Sequence, residues 1–478
     1  MRKKTKIMVT VGPACSSVEI LTDMMKSGMN IARLNFSHGT YESHKESLQN
    51  IRLAEKKAGM TITVIQDLQG PKIRLGILPE EGLKAEDGDE IVLNTKETKY
   101  KGGDIPFVFP GLQKHLKVRE RLLIDDGRME VQIHSIKGSR VFCKVIEGGV
   151  IKSRKGVNFP DSSLRIPPLS EKDKKDLKYG LSLGVHSVAL SFVHKAEDVI
   201  LLRELIKKYE KNLKIKSEYP VQIIVKIERR EAMENLKEIL EACDGVMIAR
   251  GDLGLEMPAA EVPLMQKRII GLCKDLAKPV IVATQMLDSM QECRRPSRAE
   301  VSDVANAVFD HADVLMLSNE TASGKYPLKT VKVMNHIIRT TERSAYLSDQ
   351  TIFDIGNHGS VDISLAQTAC VVADDIGAKI ILAASLTGET GRLISSYRPF
   401  LPIIVATSSE RVSEQLNISW GIQPFILLPC KTIEQLIQSS IKHILKYNIA
   451  EKGDKMVVVA GEPVGHAGNL NLIEVRDI

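Results

Sequence analysis

Short β-branched runs alternate with charged, helix-compatible segments over most of this chain, and that rhythm restricts the fold more than any other feature. The runs lie at Met8–Val11, Asn30–Phe36, Thr61–Asp67, Ser187–Phe192, Val221–Glu228, Gly245–Ala249, Val280–Thr284 and Asp313–Ser318. Alternating βα units predict a parallel sheet. Eight strands with eight following helices are the count of a closed (β/α)₈ TIM barrel. An open doubly wound sheet stays the alternative on this pattern alone.

The stretch from Gly70 to about Val157 breaks the rhythm. Its strand-like runs are separated by Asp-Gly and Gly-Gly pairs and lie at Glu90–Asn94, Arg121–Ile124, Glu130–Ile136 and Arg140–Ile146. This pattern predicts a small antiparallel β domain, a β-barrel lid, inserted after the third barrel strand. An insert at that point lies on the rim where barrel active sites form, so we expect it to close over the site.

A third region begins after about Thr341, where the barrel count is complete. Its strand-like runs lie at Lys379–Ser385, Pro402–Thr407, Pro424–Leu428, Lys455–Ala460 and Leu472–Val475, with an amphipathic stretch at Ile433–Lys446. We therefore expect an α/β chain of three domains. The barrel takes residues 1–70 and 158–340, the lid takes 71–157, and a C-terminal α/β domain for regulation or oligomerisation takes 341–478.

Composition excludes several classes of protein. The 478 residues carry a formal charge of only +6, from 66 basic and 60 acidic side chains. The basic residues are scattered among acids, which argues against nucleic-acid binding. No apolar run approaches the roughly 18 residues that a membrane span needs. The seven cysteines form no CxxC pair, which disfavours a zinc cluster or a disulfide framework, and we expect a cytoplasmic protein.

Polar side chains collect at the carboxyl ends of the predicted barrel strands. They are Arg33, Asn35, Ser37, Gln66, Asp67, Ser191, Lys226, Glu228, Arg250, Asp252, Thr284, Gln285, Ser318 and Glu320. A single charge at a strand end is usually solvated. Seven strand ends that converge on one face are hard to explain as solubility, and they predict an active site there.

Two of these residues suggest a metal. Lys226 and Glu228 are two apart on a strand and therefore face the same way, and Asp252 arrives from the neighbouring strand end. Glu228 and Asp252 would suffice for Mg²⁺, which keeps water and substrate oxygens as its other ligands. A salt-bridged cluster without metal stays open at this point. Arg33 and Lys226 add positive charge that suits a phosphorylated, anionic substrate.

A series of long motifs, in order, resembles the pyruvate kinase family over essentially the whole chain. They are residues 30–38 (NIARLNFSH), 67–74 (DLQGPKIR), 153–158 (SRKGVN), 191–193 (SFV), 225–228 (VKIE), 247–254 (MIARGDLG), 283–286 (ATQM) and 316–322 (MLSNETA). The resemblance implies a barrel, an inserted lid and a C-terminal domain, in agreement with the strand pattern. It implies the last step of glycolysis, in which phosphoenolpyruvate and ADP give pyruvate and ATP.

The resemblance also implies roles for the substrate and metal residues. Lys226 and Arg33 would contact the transferring phosphoryl group, and Glu228 and Asp252 would hold Mg²⁺ or Mn²⁺. Backbone N–H groups of Gly251 and Asp252, with the Thr284 hydroxyl, would bind the substrate carboxylate.

Further implied roles concern the proton and the nucleotide. Thr284 also lies where the enolate is protonated, with Ser318 and Glu320 in the proton relay. The nucleotide-binding residues would be Asn35, His38, Arg74 and Lys155.

The implied monovalent-cation site has an unusual neighbour. The residues that would ligate K⁺ are Asn35, Ser37, Asp67 and the backbone of Leu68. Lys72 stands where K⁺-dependent members resemble one another in having Glu, and its ammonium could supply the charge that K⁺ supplies elsewhere. We therefore expect a K⁺-independent enzyme, the alternative being that Lys72 is only a surface charge at the lid hinge.

A loop in the C-terminal domain resembles the family's sugar-phosphate effector loop. Its candidate contacts are Ser385, Thr387, Gly388 and Thr390. This predicts allosteric control by a sugar phosphate or a nucleotide monophosphate, although Glu389 puts a negative charge where a basic residue is often seen. A plain helix N-cap is the alternative. The family resemblance further implies a homotetramer.

Two other functions are alternatives. One is a catalytically silent, regulatory relative, which the joint retention of Lys226, Glu228, Asp252, Arg33 and Thr284 disfavours. The other is a Mg²⁺-dependent lyase or aldolase that acts on a phosphorylated acid, with Lys226 as a Schiff-base nucleophile in the aldolase case.

Overall fold

The structure, a computed structural model, describes residues 3–71, 73–107, 109, 111–162, 167–215, 218–344, 360–463, 465, 466, 468 and 470–478. The first three strands are β1 (Lys6–Thr10), β2 (Met29–Asn35) and β3 (Thr63–Asp67). Eight short strands follow: β4 (Leu83–Ala85), β5 (Glu90–Asn94), β6 (Ile105–Pro106), β7 (Arg121–Ile124), β8 (Met129–Lys137), β9 (Arg140–Glu147), β10 (Gly149–Ile151) and β11 (Val157–Asn158). Five more are β12 (Ser187–Leu190), β13 (Gln222–Ile227), β14 (Gly245–Ala249), β15 (Val280–Ala283) and β16 (Val314–Leu317). The last five are β17 (Ile380–Ala384), β18 (Ile403–Thr407), β19 (Ile422–Ile426), β20 (Lys455–Ala460) and β21 (Leu472–Asp477).

Helices connect most of these strands. Those of the barrel are Val18–Lys26, Tyr41–Ala58, Glu171–Leu183, Ala196–Asn212, Arg230–Glu234, Leu236–Ala242, Arg250–Glu256, Val262–Asp275, Arg298–Phe309, Asn319–Ala322 and Pro327–Glu342. Those of the C-terminal part are Val361–Asp375, Glu389–Ser396, Glu410–Leu416 and Ile433–Lys446. Short 3₁₀ turns lie at Leu112–Lys114, Ala259–Glu261 and Asp288–Gln291. Within the described part of the chain, no helix has the length and apolar character that a bilayer crossing requires.

The expected closed barrel is confirmed. Its eight strands are all parallel and follow the order β1-β16-β15-β14-β13-β12-β3-β2. Alternate residues on each strand divide between two apolar layers, as the strand period of two requires. On β1, Met8 joins the cluster inside the barrel, whereas Ile7 and Val9 join the layer beneath the helices. The strand bodies are therefore apolar on both faces, and polar side chains are displaced to the strand ends.

The insert is also a β domain, but not a closed barrel. It holds a six-stranded sheet of order β11-β7-β8-β9-β5-β6 and a two-stranded ribbon of β10 and β4. The sheet curls into a half-barrel around its own apolar core, which includes Leu93, Phe107 and Ile133. It is not wholly antiparallel as expected, since β5 and β6 pair in parallel.

The C-terminal part is a five-stranded sheet of order β19-β18-β17-β20-β21 with helices against it, as expected for an α/β domain. A buried ion pair joins it to the base of the barrel. Asp313, the residue before β16, accepts hydrogen bonds from Nη1 and Nη2 of Arg398 at 3.0 and 2.9 Å. The same carboxylate accepts the backbone N–H of Trp420 at 2.9 Å and that of Val280 at 3.0 Å.

The predicted strand bounds agree with the structure to within a few residues. Gly245–Ala249 and Lys455–Ala460 have the predicted ends, and so does the helix Ile433–Lys446. The predicted strand Ser187–Phe192 is two residues longer than β12, because the chain turns at Phe192, whose φ is 56°. The predicted strand Pro424–Leu428 starts two residues after the observed strand β19, because Ile422 and Gln423 already pair with β18.

One close approach between a helix and a barrel strand depends on glycine. Gln66 of β3 is fully buried, and its Nε2 donates to the Asp176 carbonyl of the helix Glu171–Leu183 at 2.7 Å. A Cβ at Gly180 of that helix would come within 2.1 Å of Gln66 Oε1. The helix therefore rests on the strand only because residue 180 has no side chain.

We predict that Gly180→Ala lowers the stability of the protein, because the buried Gln66 amide cannot move away from the new methyl group. Overpacking of this kind costs about 1–3 kcal/mol. The matched control is Gly271→Ala in the helix Val262–Asp275, where an added Cβ meets nothing within 4 Å. This control should gain about 0.5–1 kcal/mol, because alanine loses less entropy in a helix than glycine does. Thermal unfolding checks both, and equal midpoints for the two variants would contradict the packing argument.

Candidate active site

Lys226 is the centre of the polar cluster at the carboxyl ends of the barrel strands. Its side chain is only 13% exposed, and its Nζ lies 2.7 Å from Glu228 Oε1 and 3.6 Å from Asp67 Oδ1. Nζ also donates to Ser191 Oγ at 2.9 Å, and that hydroxyl in turn donates to the Leu68 carbonyl at 2.8 Å. Three strand ends therefore hold one buried ammonium group.

Arg33 forms a second cationic position next to it. Its Nε donates to Asp67 Oδ2 at 2.7 Å and its Nη1 donates to Thr10 Oγ1 at 3.0 Å. Asp67 is 1% exposed and thus lies between two cations, Arg33 and Lys226. Its Oδ1 has no hydrogen bond from any described residue. Arg33, Asp67 and Lys226 are therefore brought together as the sequence predicted.

The charges in this cluster depend on one another. Burial opposes the charge on Lys226, but Asp67, Glu228 and Asp252 together raise its pKa above that of an ordinary lysine. Burial also raises the pKa of Glu228, and the negative charge of Asp252 adds to this, while the Lys226 ammonium opposes it. The backbone N–H of Phe192 donates to Glu228 Oε2 at 2.8 Å. The two carboxylates are thus close enough to repel, and a cation between them would relieve that repulsion.

The donor set of Glu228 and Asp252 fits a hard divalent cation. Both offer carboxylate oxygens, and Asp252 lies half-buried in the first turn of the helix Arg250–Glu256. No group of three His, Cys, Asp or Glu residues with metal-site geometry occurs in the described part of the chain. Two carboxylates with water and substrate oxygens are nevertheless a usual environment for Mg²⁺.

Thr284 lies at the end of β15 in a strained backbone conformation. Its φ is 72° and that of Gln285 is 54°, a region that residues other than glycine seldom occupy. The Thr284 hydroxyl accepts the Gly251 N–H at 2.8 Å and donates to the Ala283 carbonyl. The predicted partners Gly251 and Thr284 are therefore in direct contact.

A salt bridge holds this strained turn in place. The guanidinium of Arg250 donates to both carboxylate oxygens of Asp303, at 2.7 and 2.8 Å, and to the Thr284 carbonyl at 2.8 Å. Asp303 lies on the helix Arg298–Phe309, outside the strand ends. The turn is thus fixed from a neighbouring helix by a bidentate charge-assisted interaction.

Ser318 and Glu320 follow β16. Glu320 is 1% exposed, and its carboxylate accepts the N–H groups of Ser318 at 2.7 Å and Leu287 at 3.3 Å. Burial raises its pKa. Both residues lie at the predicted strand end, where Glu320 ties the turn after β16 to the segment after β15.

The predicted nucleotide residues lie in two places. Asn35 is half-buried at the end of β2 and accepts the Ser37 N–H at 3.1 Å, and His38 is exposed. Arg74 and Lys155 lie at the base of the insert, where Arg74 bridges to Gly156. In this conformation Arg74 donates to the Arg154 carbonyl and Lys155 pairs with Asp125 at 2.7 Å.

The predicted monovalent-cation residues lie on neighbouring strand ends. Asn35 of β2 and Asp67 of β3 are register partners, Ser37 is half-buried, and Leu68 is buried. Lys72, on which the expected K⁺ independence rests, lies outside the described residues.

The predicted effector residues line a separate pocket of about 130 Å³ in the C-terminal part. Ser385, Thr387 and Thr390 are on its wall, as is Glu389. Gly388 precedes the helix Glu389–Ser396 with a φ of 82°. Gly388 is the N-cap residue of this helix, and the Thr387 hydroxyl accepts the Glu389 N–H at 3.3 Å, so the alternative of a plain helix N-cap stays open.

Sequence reasoning missed two contributors to this site. Thr10 lies at the end of β1. Its hydroxyl accepts a hydrogen bond from Arg33, and its carbonyl accepts one from the Thr321 hydroxyl. Because Thr10 is uncharged, a search for charged strand ends passes over it. Asp303 was missed because it lies on a helix, and only the bidentate contact with Arg250 reveals it.

Comparison with known proteins agrees with this site. Residues 2–331 match the family model described as pyruvate kinase, barrel domain, and residues 364–476 match pyruvate kinase, alpha/beta domain. The chain is 39% identical to a pyruvate kinase of Geobacillus stearothermophilus, with 100% of this chain and 81% of the relative covered. It is also 39% identical to a pyruvate kinase of Corynebacterium glutamicum, with coverage of 100% and 98%.

The chain belongs to the pyruvate kinase family. A crystal structure of a pyruvate kinase from Cryptosporidium parvum superposes with a TM-score of 0.91 at 34% identity, over 99% of this chain and 96% of the other. This chain is therefore an enzyme, a phosphotransferase with pyruvate kinase activity.

We predict that Asp303→Ala lowers the kcat of the pyruvate kinase reaction by about 10- to 100-fold, the loss expected when a reacting group is misplaced. Without the carboxylate, Arg250 no longer holds the Thr284 carbonyl, and the strained turn relaxes. Steady-state kinetics checks this. The control is Ser302→Ala, an exposed position on the same helix, which should keep the wild-type kcat. A wild-type kcat for Asp303→Ala would show that the salt bridge does not position Thr284.

Proposed function

We propose that the cluster around Lys226 transfers the phosphoryl group of phosphoenolpyruvate to ADP. The observation that carries this proposal is the buried Lys226 ammonium, held by Asp67 and Glu228 beside Arg33. Phosphoryl transfer requires little covalent chemistry from the protein and depends on positioning and on positive charge around the moving group. Lys226 and Arg33 supply that charge from two neighbouring strand ends, and their carboxylate partners fix both cations before substrate arrives.

Glu228 and Asp252 would hold a divalent ion, Mg²⁺ or Mn²⁺. Such an ion, when bound, neutralises charge that develops on the substrate oxygens. Burial raises the pKa of Glu228 and the negative charge of Asp252 adds to this, which supports the assignment because a bound cation would favour the ionised form of both carboxylates.

The substrate carboxylate would lie at the start of the helix Arg250–Glu256. The N–H groups of Gly251 and Asp252 belong to its first turn, and the Thr284 hydroxyl adjoins them. In the present conformation the Gly251 N–H donates to the Thr284 hydroxyl, so a bound carboxylate would replace this hydrogen bond. Thr284 would then be near the carbon that receives the proton, with Ser318 and Glu320 behind it.

ADP would bind between the barrel and the lid. Asn35 and His38 would contact it from the barrel, and Arg74 and Lys155 from the base of the lid. The Lys155–Asp125 pair is partly exposed, so exchanging Asp125 for a nucleotide phosphate costs little.

We further propose that the enzyme is K⁺-independent. Asn35, Ser37, Asp67 and the Leu68 backbone would form the monovalent-cation site, and the Lys72 ammonium would replace the ion. The support for this is the sequence, in which Lys72 occurs where K⁺-dependent members have Glu.

The domain division proposed from the sequence is 1–70 with 158–340 for the barrel, 71–157 for the lid and 341–478 for the C-terminal domain. The family matches at residues 2–331 and 364–476 are consistent with it. We also propose that the enzyme is a homotetramer, as the family resemblance implies.

A coupled assay for pyruvate formation tests the proposed function. We expect activity from phosphoenolpyruvate and ADP with Mg²⁺, none after the metal is chelated, and rates within tenfold of each other with and without K⁺, because Lys72 supplies the charge. In Lys72→Glu, the rate should become dependent on K⁺. A rise of more than tenfold when K⁺ is added to the wild-type enzyme would reject the Lys72 argument and keep the kinase. No activity in folded enzyme would reject the proposed roles.

The pocket beside Ser385, Thr387 and Thr390 would bind the phosphate of an effector, a sugar phosphate or a nucleotide monophosphate. We predict that ribose 5-phosphate or AMP binds there in calorimetry and lowers the KM for phosphoenolpyruvate. Thr390→Glu should abolish that binding, because a second carboxylate beside Glu389 repels phosphate. Unchanged binding in this variant would put the effector site elsewhere.

A further inference from the structure

Three polar residues are buried together near the base of the lid and are used by none of the roles above. Asn158, Arg229 and Glu256 are 7%, 6% and 5% exposed, respectively. We call them the hinge cluster. The side chain of Asn158 hydrogen-bonds to Glu256, and the positive charge of Arg229 acts on the same carboxylate.

Each member comes from a different part of the site. Asn158 ends β11, which pairs with β7 of the lid sheet. Arg229 directly follows Glu228, and Glu256 ends the helix in which Asp252 occupies the first turn. The hinge cluster thus joins the base of the lid to the two elements that carry the proposed metal carboxylates.

The hydrogen bonding of the cluster is incomplete in this conformation. Among the described residues, none bonds to Glu256 Oε1, Asn158 Oδ1, or Nε and Nη1 of Arg229. Buried polar atoms are nearly always paired, so this many unpaired atoms in one place require an explanation. An arrangement that changes partners when the lid moves would provide one.

A chain of contacts also leads from the cluster to Glu228. The Arg229 guanidinium lies 5.4 Å from the centre of the Phe192 ring. Phe192 has a φ of 56°, and its N–H donates to Glu228 Oε2 at 2.8 Å. Arg229 and Glu228 therefore both contact Phe192, the residue at the turn beyond β12.

We propose that Glu256 is a positioning residue that couples the lid to the metal carboxylates, through its hydrogen bond with Asn158 on one side and the attraction between its charge and that of Arg229 on the other. This inference rests on the proposed role of Glu228 and Asp252. It assigns to Glu256 no contact with substrate or metal. Its effect runs through the helix to Asp252, and through Arg229 and Phe192 to Glu228.

The charge of Glu256 makes the role measurable. Burial raises its pKa to about 7; Glu231 and Asp252 add to this, and Arg229 and the Asn158 hydrogen bond oppose it. Glu256 is therefore ionised above about pH 7 and neutral below it, as glutamine is at every pH. The difference between wild type and Glu256→Gln should accordingly vanish as pH falls through that value.

The experiment measures Mn²⁺ binding by electron paramagnetic resonance on the full chain without substrates, together with steady-state kinetics. Glu256→Gln should weaken Mn²⁺ binding by about tenfold above pH 7, as loss of a group that orients metal ligands usually does. The two proteins should converge below that pH. The kcat of Glu256→Gln should fall, while its KM for phosphoenolpyruvate should stay within twofold of the wild-type value. The control is Glu261→Gln, an exposed acid just beyond the same helix, which should match wild type throughout.

A second variant guards against misfolding of the first. Asn158→Ser changes the member of the hinge cluster that lies at the base of the lid. This variant should also weaken Mn²⁺ binding. Wild-type Mn²⁺ affinity in both folded variants would overturn the inference, and so would a loss that is the same at every pH. Wild-type protein that binds no Mn²⁺ would instead overturn the proposed metal site, and with it the basis of the inference.

Discussion

The buried ammonium of Lys226 is the interaction on which the rest of the site depends. A lysine at 13% exposure is costly unless opposite charges surround it. Asp67 and Glu228 provide those charges, and each is itself buried and would be unstable without a cation. Removing any one member leaves an uncompensated charge in an apolar barrel, so the cluster persists or fails as a unit. The same mutual dependence keeps the Lys226 ammonium charged and directs both cations at one face.

Strain surrounds this cluster in a consistent pattern. The backbone takes positive φ at Phe192, Thr284 and Gln285, each just beyond the end of a barrel strand. Such conformations persist only where neighbours hold them. Glu228 holds Phe192 by accepting its N–H, and Arg250 holds Thr284 through its carbonyl. The charged residues therefore shape the turns as well as providing the chemistry.

The sequence predicted much of the fold and the centre of the site. The β-branched runs predicted the eight barrel strands, because burial on both faces leaves a strong apolar signal in every strand. Lys226, Glu228, Asp67 and Arg33 were found because charge at the end of an apolar strand needs a reason. Thr10 and Asp303 were not found, since a threonine has no charge signal and a helix residue has no link in sequence to the strand it supports. The half-barrel form of the insert depends on which edges pair, and strand patterns alone do not determine that.

The strand β16 connects two fixed points in the molecule. Asp313, directly before it, is tied to Arg398 of the C-terminal part, and Ser318, directly after it, leads to Glu320 in the site. Four residues of extended chain span about 13 Å, and an extended strand cannot lengthen further. Its length in residues is therefore a fixed dimension. A single insertion or deletion between Val314 and Leu317 would turn alternate side chains from the barrel interior to the helix layer. Evolution can vary the side chains of this strand, but it cannot vary their number without separating the two ends from their partners.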